Sequence, residues 1–470
     1  MIVLSFGFFL LVFTLIGLAS IIKSRHDNLD YLLAGRQVKP WLVGLSAVAT
    51  NNSGYMFTGM IGFTYLTGLS SVWLMVGWLL GDFAGSLLIH KQLRIATERT
   101  GQVSFSGVLS HWNGTDYRKL RVVCGLISLV FLGAYAAAQL NAGSKALHVL
   151  FGWDLSAGAI IGSMIVLAYC FAGGIRASIW TDAAQSFVMI LSMIALLFFA
   201  VQSTGGMSAT WMYLHTISAG YMDWIPPDLP VQGWLGPVLF IVGWCFAGFG
   251  VVGQPHIMIR FMALDDPQNI VRARLYYYGW FALFYAVTIA VGLMARILIP
   301  HIDNFDSELA LPLLSIDLLP PILGGLILAG LFAATMSTAD SLILSCSASL
   351  TRDFFRHKKE NIWITKLSTV LVTFLALVIA LTGSKSVFQL VLYAWAVLAA
   401  AFGPLLIVYC LKQQVSERIA VTMVLTGAAT VIVWTQLGLS PILYEITPGI
   451  VAGLLVFVIG KAIAQTNSRS

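Results

Sequence analysis

The stretch Ala49-Thr50-Asn51-Asn52-Ser53-Gly54-Tyr55-Met56-Phe57-Thr58-Gly59 lies inside an apolar run that extends from Trp41 to about Gly68. Two asparagines, a serine and a glycine at mid-span are costly in hydrocarbon, where every backbone polar group must find an internal partner. A helix broken there exposes carbonyls and amides, which is tolerable only where they line a cavity and bind something. Interhelical hydrogen bonding with small-residue packing is the plainer alternative for this stretch taken alone.

The surroundings make the membrane reading firm. Of 470 residues, 59% are hydrophobic and 10% charged, with a mean hydropathy of +0.88; soluble domains carry about 25% charged residues. Apolar runs of about 20 residues, each long enough to cross a bilayer, recur along the chain. Thirteen are expected: 2–22, 40–66, 72–90, 120–148, 156–174, 183–203, 234–256, 276–298, 320–348, 364–384, 388–411, 418–437 and 447–464. The fold class is therefore all-α and polytopic, one transmembrane domain over 1–470. The connections 91–118, 204–233 and 299–319 read as loops.

The net charge of +6 orients the chain and names no nucleic-acid partner. No basic residue precedes the first run, while Lys23 and Arg25 follow it, so it reads as a retained helix with its N-terminus outside. Alternating the loops from there leaves only Lys145, Arg296 and Lys385 outside, as the positive-inside rule expects. The C-terminus then falls in the cytoplasm of a cell whose plasma (inner) membrane holds the protein. Five cysteines (Cys124, Cys170, Cys245, Cys346, Cys410) lie in or at the ends of spans without metal-ligand spacing and read as buried structural thiols. The histidines form no paired motif and no phosphate loop precedes a helix. Neither a cofactor nor covalent catalysis is implied.

Chemistry must then sit inside the spans, where polar residues are functional candidates by default. In 329–349, Ala334, Ser337, Thr338 and Ser341 recur three or four apart and share one helix face; such oxygens are hard donors suited to an alkali cation, with a serine-lined packing face as the plainer alternative. Asp340 adds a carboxylate with no Lys or Arg in its own span. In 242–261, four glycines and Pro255 interrupt the seventh span. Interrupted segments at matching places in two halves point to a transporter binding site, and spans two and seven are five apart. Two inverted five-helix repeats follow, 40–203 and 234–411, with 1–22 as an extra N-terminal helix and 418–464 as two additional C-terminal helices. Glycine-mediated close packing is the alternative for span seven. Tyr135, Gln139 and Asn141 in span four, Asp182 at the start of span six, and Tyr393 and Trp395 in the stretch 392–404 are isolated polar or aromatic groups, each individually explicable as an interface anchor or a packing residue.

Six stretches in order, LDYLLAGRQV (29–38), SAVATNNSG (46–54), GGIRASIWTDAAQ (173–185), GQPHIMIRFMA (253–263), AATMSTADSLIL (333–344) and YAWAVLAAAFGP (393–404), resemble the signature segments of the sodium:solute symporter family. They are most similar to its sodium/proline branch. The resemblance implies a LeuT-type inverted-repeat fold and sodium-coupled import of a small solute by alternating access, an amino acid such as proline first. It implies a sodium site from carbonyls of Ala49, Asn52 and Ala334 and hydroxyls of Ser337 and Thr338, with Asp182, Asp340 and Ser341 as a possible second sodium site. Solute would be faced by Asn51, Ser53, Tyr135, Gln139, Ala247, Val251, Gln254, Pro255 and Trp395. The expected partners are sodium, a small solute and the bilayer; sodium is the sole metal, and the oligomeric state is left open. The chain departs from the proline branch at Asn51, where that branch has aspartate, and at Ala247 and Val251, where it has Trp and Tyr. Another solute (a sugar, carboxylate or vitamin) and a transporter-like sensor are the alternatives. A sensor would need an output domain, whereas only nine residues follow Lys461; a passive channel would ignore the sodium gradient.

Overall fold

A chain this apolar satisfies its backbone in lipid by forming helices. The computed structural model describes residues 1–23, 27–299, 305–354, 362–382 and 386–467. Its helices are α1 (Ile2–Ala19), α2 (Asn28–Leu33), α3 (Pro40–Gly54), α4 (Met60–Thr67), α5 (Val72–Thr100), α6 (Phe105–His111), α7 (Arg118–Phe151), α8 (Leu155–Ser203), α9 (Met207–Thr216), α10 (Leu235–Phe249), α11 (Pro255–Met262), α12 (Ile270–Leu298), α13 (Ala310–Leu318), α14 (Pro321–Ala348), α15 (Ile362–Thr382), α16 (Val387–Cys410), α17 (Glu417–Gln436) and α18 (Ile446–Asn467). Among the described residues there is no strand, only a single parallel bridge between Val38 and Leu264.

Among the described residues eleven segments are long and apolar enough to cross a membrane, against thirteen expected. The two counts part at two places. Pro40–Thr100 is one apolar run that holds two of the expected spans, turned at Gly68 (φ +71°) and the short 3-10 turn Gly68–Ser71. The run expected at 156–174 is a shorter apolar helix, Leu155–Ala168, which continues along α8 to a non-helical Gly174 (φ +56°). The three long connections are not simple loops: α6, α9 and α13 lie within them, and α5 runs on to Thr100. Arg25, Arg356, Lys358, Lys359, Lys385 and Arg469, all used to orient the chain, lie outside the described residues.

α14 and α16 are almost wholly enclosed, whereas α1, α15, α17 and α18 turn most of their surface outwards. α5 and α10 cross closely. A Cβ on Gly81 would lie 1.8 Å from the Cys245 carbonyl oxygen, and one on Gly248 would lie 2.1 Å from that of Trp78. Small residues spaced four apart allow this approach. Close packing, the plainer reading of span seven, is thus the role of Gly248, one turn before the chain breaks. Among the cysteines, Cys245 and Cys410 are only half-buried, while the other three are buried; all five are free thiols.

The two interrupted spans are tied together at one end. Val38 N–H donates to Ala263 O (3.1 Å) and Asp265 N–H to Val38 O (3.0 Å). Lys39 Nζ reaches Asp265 Oδ2 at 3.3 Å, and the buried Arg94 donates through Nε to Leu264 O at 2.6 Å. The entry to α3 and the exit from α11 are therefore fixed to each other, which sets their breaks at related depths.

Candidate functional site: two broken helices around a buried ion pair

The helix of span two does break within the opening stretch. Ser53 takes φ +49° and ψ −168°, a conformation that strains any residue with a side chain. A wide helical turn over Tyr55–Gly59 follows before α4 resumes. Side chains of α7 meet the backbone and hydroxyl groups that the break sets free. Gly54 N–H donates to Gln139 Oε1 (2.9 Å), Tyr55 N–H to Ser53 Oγ (3.1 Å), and Ser53 Oγ lies 3.4 Å from Tyr135 Oη. Asn51 Nδ2 donates to Tyr277 Oη of α12 at 2.5 Å. Gly54 is needed here, because a Cβ would stand 2.4 Å from Thr335 Cγ2.

Span seven breaks differently. α10 ends in a 3-10 turn over Gly250–Gly253, Gln254 is extended, and Pro255 opens α11, where its missing N–H costs nothing. The break is braced by α16. Trp395 Nε1 donates to Ala247 O (2.9 Å), and Gln254 Nε2 donates to Trp395 O (3.0 Å) and Gly250 O (3.2 Å). Tyr135 links the two breaks: its ring meets that of His256 edge-on, with centroids 5.3 Å apart. Both nitrogens of the buried His256 lack a partner among the described residues.

On the side of each break towards the tied ends of α3 and α11 lies a polar centre that draws on four helices. Asp182 of α8 and Arg260 of α11 are both fully buried and pair at 3.3 Å. Ser46 Oγ of α3 donates to Asp182 Oδ2 at 2.5 Å, and Ser337 Oγ of α14 donates to its Oδ1. The guanidinium also donates to Ser46 Oγ (3.2 Å), His256 O (2.5 Å), Ser178 Oγ (3.0 Å) and Ser341 Oγ. Asp340 accepts from Ser178 Oγ (2.8 Å) and Ser341 Oγ (2.9 Å). A buried charge is tolerated only when paired and hydrogen-bonded, and this network meets both conditions.

The expected site residues fall into three groups. Asn51, Ser53, Tyr135 and Gln139 gather at the first break, while Ala247, Val251, Gln254, Pro255 and Trp395 gather at the second. Ala49 and Asn52 on α3 and Ala334, Ser337 and Thr338 on α14 belong to helices packed against each other. In this third group two buried polar atoms, Asn52 Nδ2 and Thr338 Oγ1, have no partner among the described residues. Asp182, Asp340 and Ser341 meet in the polar centre. Asp182 is not an interface anchor at a helix end but lies inside the 49-residue α8. Trp395 and Ala247 contact each other through the indole N–H, so the indole is engaged in bracing.

Arg260 is the residue that sequence reasoning missed. Positive-inside bookkeeping puts it in an inner loop, yet it is buried in α11 and its guanidinium provides the positive charge beside Asp182 and Asp340. The available signal was the unmatched Asp340: a carboxylate in a span requires a cation, and none is present in its own helix. His256, also in the quoted GQPHIMIRFMA segment, was passed over in the same way.

Non-covalent oxygen and nitrogen donors converging on two helix breaks in an apolar bundle define a membrane transporter. Residues 31–427 match the sequence profile of the sodium:solute symporter family. The chain is 32% identical over 458 residues to the high-affinity proline transporter PutP of Bacillus subtilis (strain 168), covering 95% of each. It is 31% identical over 477 residues to a sodium/proline symporter of Staphylococcus aureus (strain USA300), covering 96% of this chain and 91% of the relative. A sodium-coupled sialic acid symporter in a substrate-bound outward-open state shares the fold at 18% identity and a TM-score of 0.83, covering 98% of both chains. The nucleobase-cation-symport-1 transporter Mhp1 does so at 16% identity and 0.62, covering 94% of this chain and 96% of its own. The protein belongs to the sodium:solute symporter family. It is an integral membrane symporter with the LeuT-type fold and not an enzyme, and its partners are a small solute and sodium.

Proposed function

We propose that the chain couples sodium entry to the import of proline. One observation carries the sodium site: Thr338 Oγ1, a buried hydroxyl without a partner among the described residues, belongs to α14, which packs on the broken α3. Carbonyls of Ala49, Asn52 and Ala334 and the hydroxyls of Ser337 and Thr338 make up the hard-oxygen set a sodium ion favours. Asp182, Asp340 and Ser341 are a poorer second site, because the Arg260 guanidinium already supplies a cation there. We therefore assign a coupling of one sodium per solute. A membrane potential of about 100 mV is worth about 2.3 kcal/mol per charge and a tenfold gradient about 1.4 kcal/mol, enough for roughly 500-fold accumulation. No cofactor enters.

Solute fits between the two breaks, faced by Asn51, Ser53 and Tyr135 on one side and the 247–255 segment on the other. Repeats over 40–203 and 234–411, thirteen spans, an outside N-terminus and a cytoplasmic C-terminus in the plasma (inner) membrane accord with this reading and with the distribution of Lys and Arg. Proline is named by the relatives; Ala247 and Val251, where the proline branch has Trp and Tyr, favour a bulkier solute as the second reading. The test is thermal stability of the purified protein with proline, sugars and carboxylates, with and without sodium, since a ligand of the native state stabilises by mass action. Stabilisation by proline that requires sodium is expected. Sodium-dependent stabilisation by another solute would shift the assignment to the second reading, and solute binding indifferent to sodium would contradict coupling.

A further inference from the structure

Asp82 of α5 is fully buried and belongs to none of the three groups above. Its Oδ2 accepts from Tyr277 Oη at 2.6 Å and its Oδ1 from Tyr278 Oη at 3.0 Å. Tyr277 Oη in turn accepts from Asn51 Nδ2 at 2.5 Å. A single row of hydrogen bonds thus runs from a buried carboxylate to the broken helix: Asn51 to Tyr277 to Asp82.

Among the described residues no cation neutralises Asp82, which makes no ion pair. The charged and titratable groups that face this part of α5 are otherwise engaged. Arg274 of α12 donates to the Ser86 carbonyl. His90, two turns further along α5, stacks on Phe261 of α11 with centroids 3.8 Å apart. Cys245 of α10 meets α5 through its backbone at Gly81. Tyr277 and Tyr278 complete the set. Uptake of a proton is the ordinary way for an unpaired buried carboxylate to shed its charge.

We propose that Asp82 is a proton site, read out at the span-two break through Tyr277 and Asn51. The inference follows from counting donors. With Asp82 ionised, the Tyr277 proton points to Asp82, Tyr277 oxygen accepts from Asn51 Nδ2, and Asn51 Oδ1 is left as the free end of the row. When Asp82 takes a proton from water and donates it to Tyr277 oxygen, two donors converge on that oxygen and its own proton needs another acceptor. Turning the Asn51 amide supplies one: Tyr277 then donates to Asn51 Oδ1, and Nδ2 becomes the free end. No bond other than hydrogen bonds changes.

The charge state of Asp82 therefore sets whether position 51 offers an acceptor or a donor beside the cation oxygens. An acceptor and a nearby negative charge favour sodium; a donor and a neutral carboxyl do not. Sodium and the proton oppose each other, and by linkage each weakens the other by the same factor. The carboxylate missing at position 51 relative to the proline branch is in this way supplied from α5, two hydrogen bonds away. Asp82 and Tyr277 are positioning residues: they act on the site through Asn51.

This inference rests on the sodium site proposed above, and one experiment separates the two. Sodium alone, against choline, is titrated into the purified protein at about pH 6 and about pH 8, with intrinsic tryptophan fluorescence as the readout. The parent should bind sodium about tenfold more weakly at the lower pH, within the usual range of coupling between sites. Asp82→Asn and Tyr277→Phe should each flatten that dependence to less than about twofold. Thr338→Ala should weaken sodium at both pH values and keep the slope. In weak buffer near neutrality, sodium should release protons from the parent and not from Asp82→Asn. If Asp82→Asn does not fold, Tyr277→Phe, which loses one hydroxyl, and the proton release by the parent still decide. A slope retained in Tyr277→Phe or Asp82→Asn, or sodium binding by the parent with no slope, overturns the relay. Absence of sodium binding by the parent at either pH overturns the sodium site itself.

Discussion

The breaks in spans two and seven do the same thing to the backbone by opposite means. At span seven the sequence makes the break almost free: glycines form the 3-10 turn, Gln254 is extended, and Pro255 starts the next helix without an N–H to satisfy. Side chains there brace backbone to backbone, Trp395 on Ala247 O and Gln254 on Gly250 O. At span two no proline helps, and Ser53 holds a left-handed φ at a cost on the order of 1–3 kcal/mol. That strain persists because Gln139, Tyr135 and Tyr277 each grip one residue of the break. One break is packed and the other is wired, so substitutions at the two should fail in different ways.

A large effect belongs to the packed break. Gly248→Ala would place a Cβ 2.1 Å from the Trp78 carbonyl oxygen, which neither backbone can yield to cheaply. We expect a loss of about 3 kcal/mol or more, seen as failure to purify a folded protein or a sharp fall in melting temperature. Gly133→Ala, on α7 with nothing within 4 Å of the added carbon, is the control and should be neutral or slightly stabilising. Similar stability of the two variants would break the contrast.

Next comes the ion pair that both breaks share through α3 and α11. Asp182→Asn removes the carboxylate that pairs directly with the buried Arg260 and leaves only Asp340, reached through Ser178 and Ser341, as its counter-charge; breaking a buried pair in this way costs about 3–5 kcal/mol. Asp182→Asn combined with Arg260→Met should recover part of that loss, because it removes the guanidinium and leaves only Asp340, which can shed its charge by taking up a proton. Melting temperatures of the two variants in detergent check this. A double variant less stable than the single one would mean that the pair is net stabilising and not merely mutually neutralising.

Legibility in the sequence followed the same divide. The all-helical membrane class, the broken second span and the Gly/Pro-interrupted seventh were readable because each is a local departure from an apolar pattern. The identity of Ser53 as the residue that leaves the helix was not, since Asn52, Ser53 and Gly54 all suit the position and tertiary grips from α7 and α12 decide. The expected spans divide at 66–72 and 174–183, close to the turn at Gly68 and the bend at Gly174, whereas helix length and apolar content alone join Pro40–Thr100 into one run, because they do not register a turn made by a single positive φ. Arg260 was misplaced because its cation is neutralised by Asp182, 78 residues away in sequence. Long-range pairing of this kind leaves no local trace, apart from carboxylates that lack a counter-charge in their own helix.

The wired break carries the central claim, that broken α3 and α14 together hold the coupling sodium through oxygens including Thr338 Oγ1. The direct measurement is the sodium concentration that half-saturates solute uptake by reconstituted vesicles, for Thr338→Ala beside Thr338→Ser. We expect the Ala variant to need at least about tenfold more sodium, a loss of about 1.4 kcal/mol, and still to transport when sodium saturates. The Ser variant, which keeps the oxygen, should stay close to the parent. A Thr338→Ala protein with the parent's sodium dependence, or a Ser variant as impaired as the Ala one, would contradict the account.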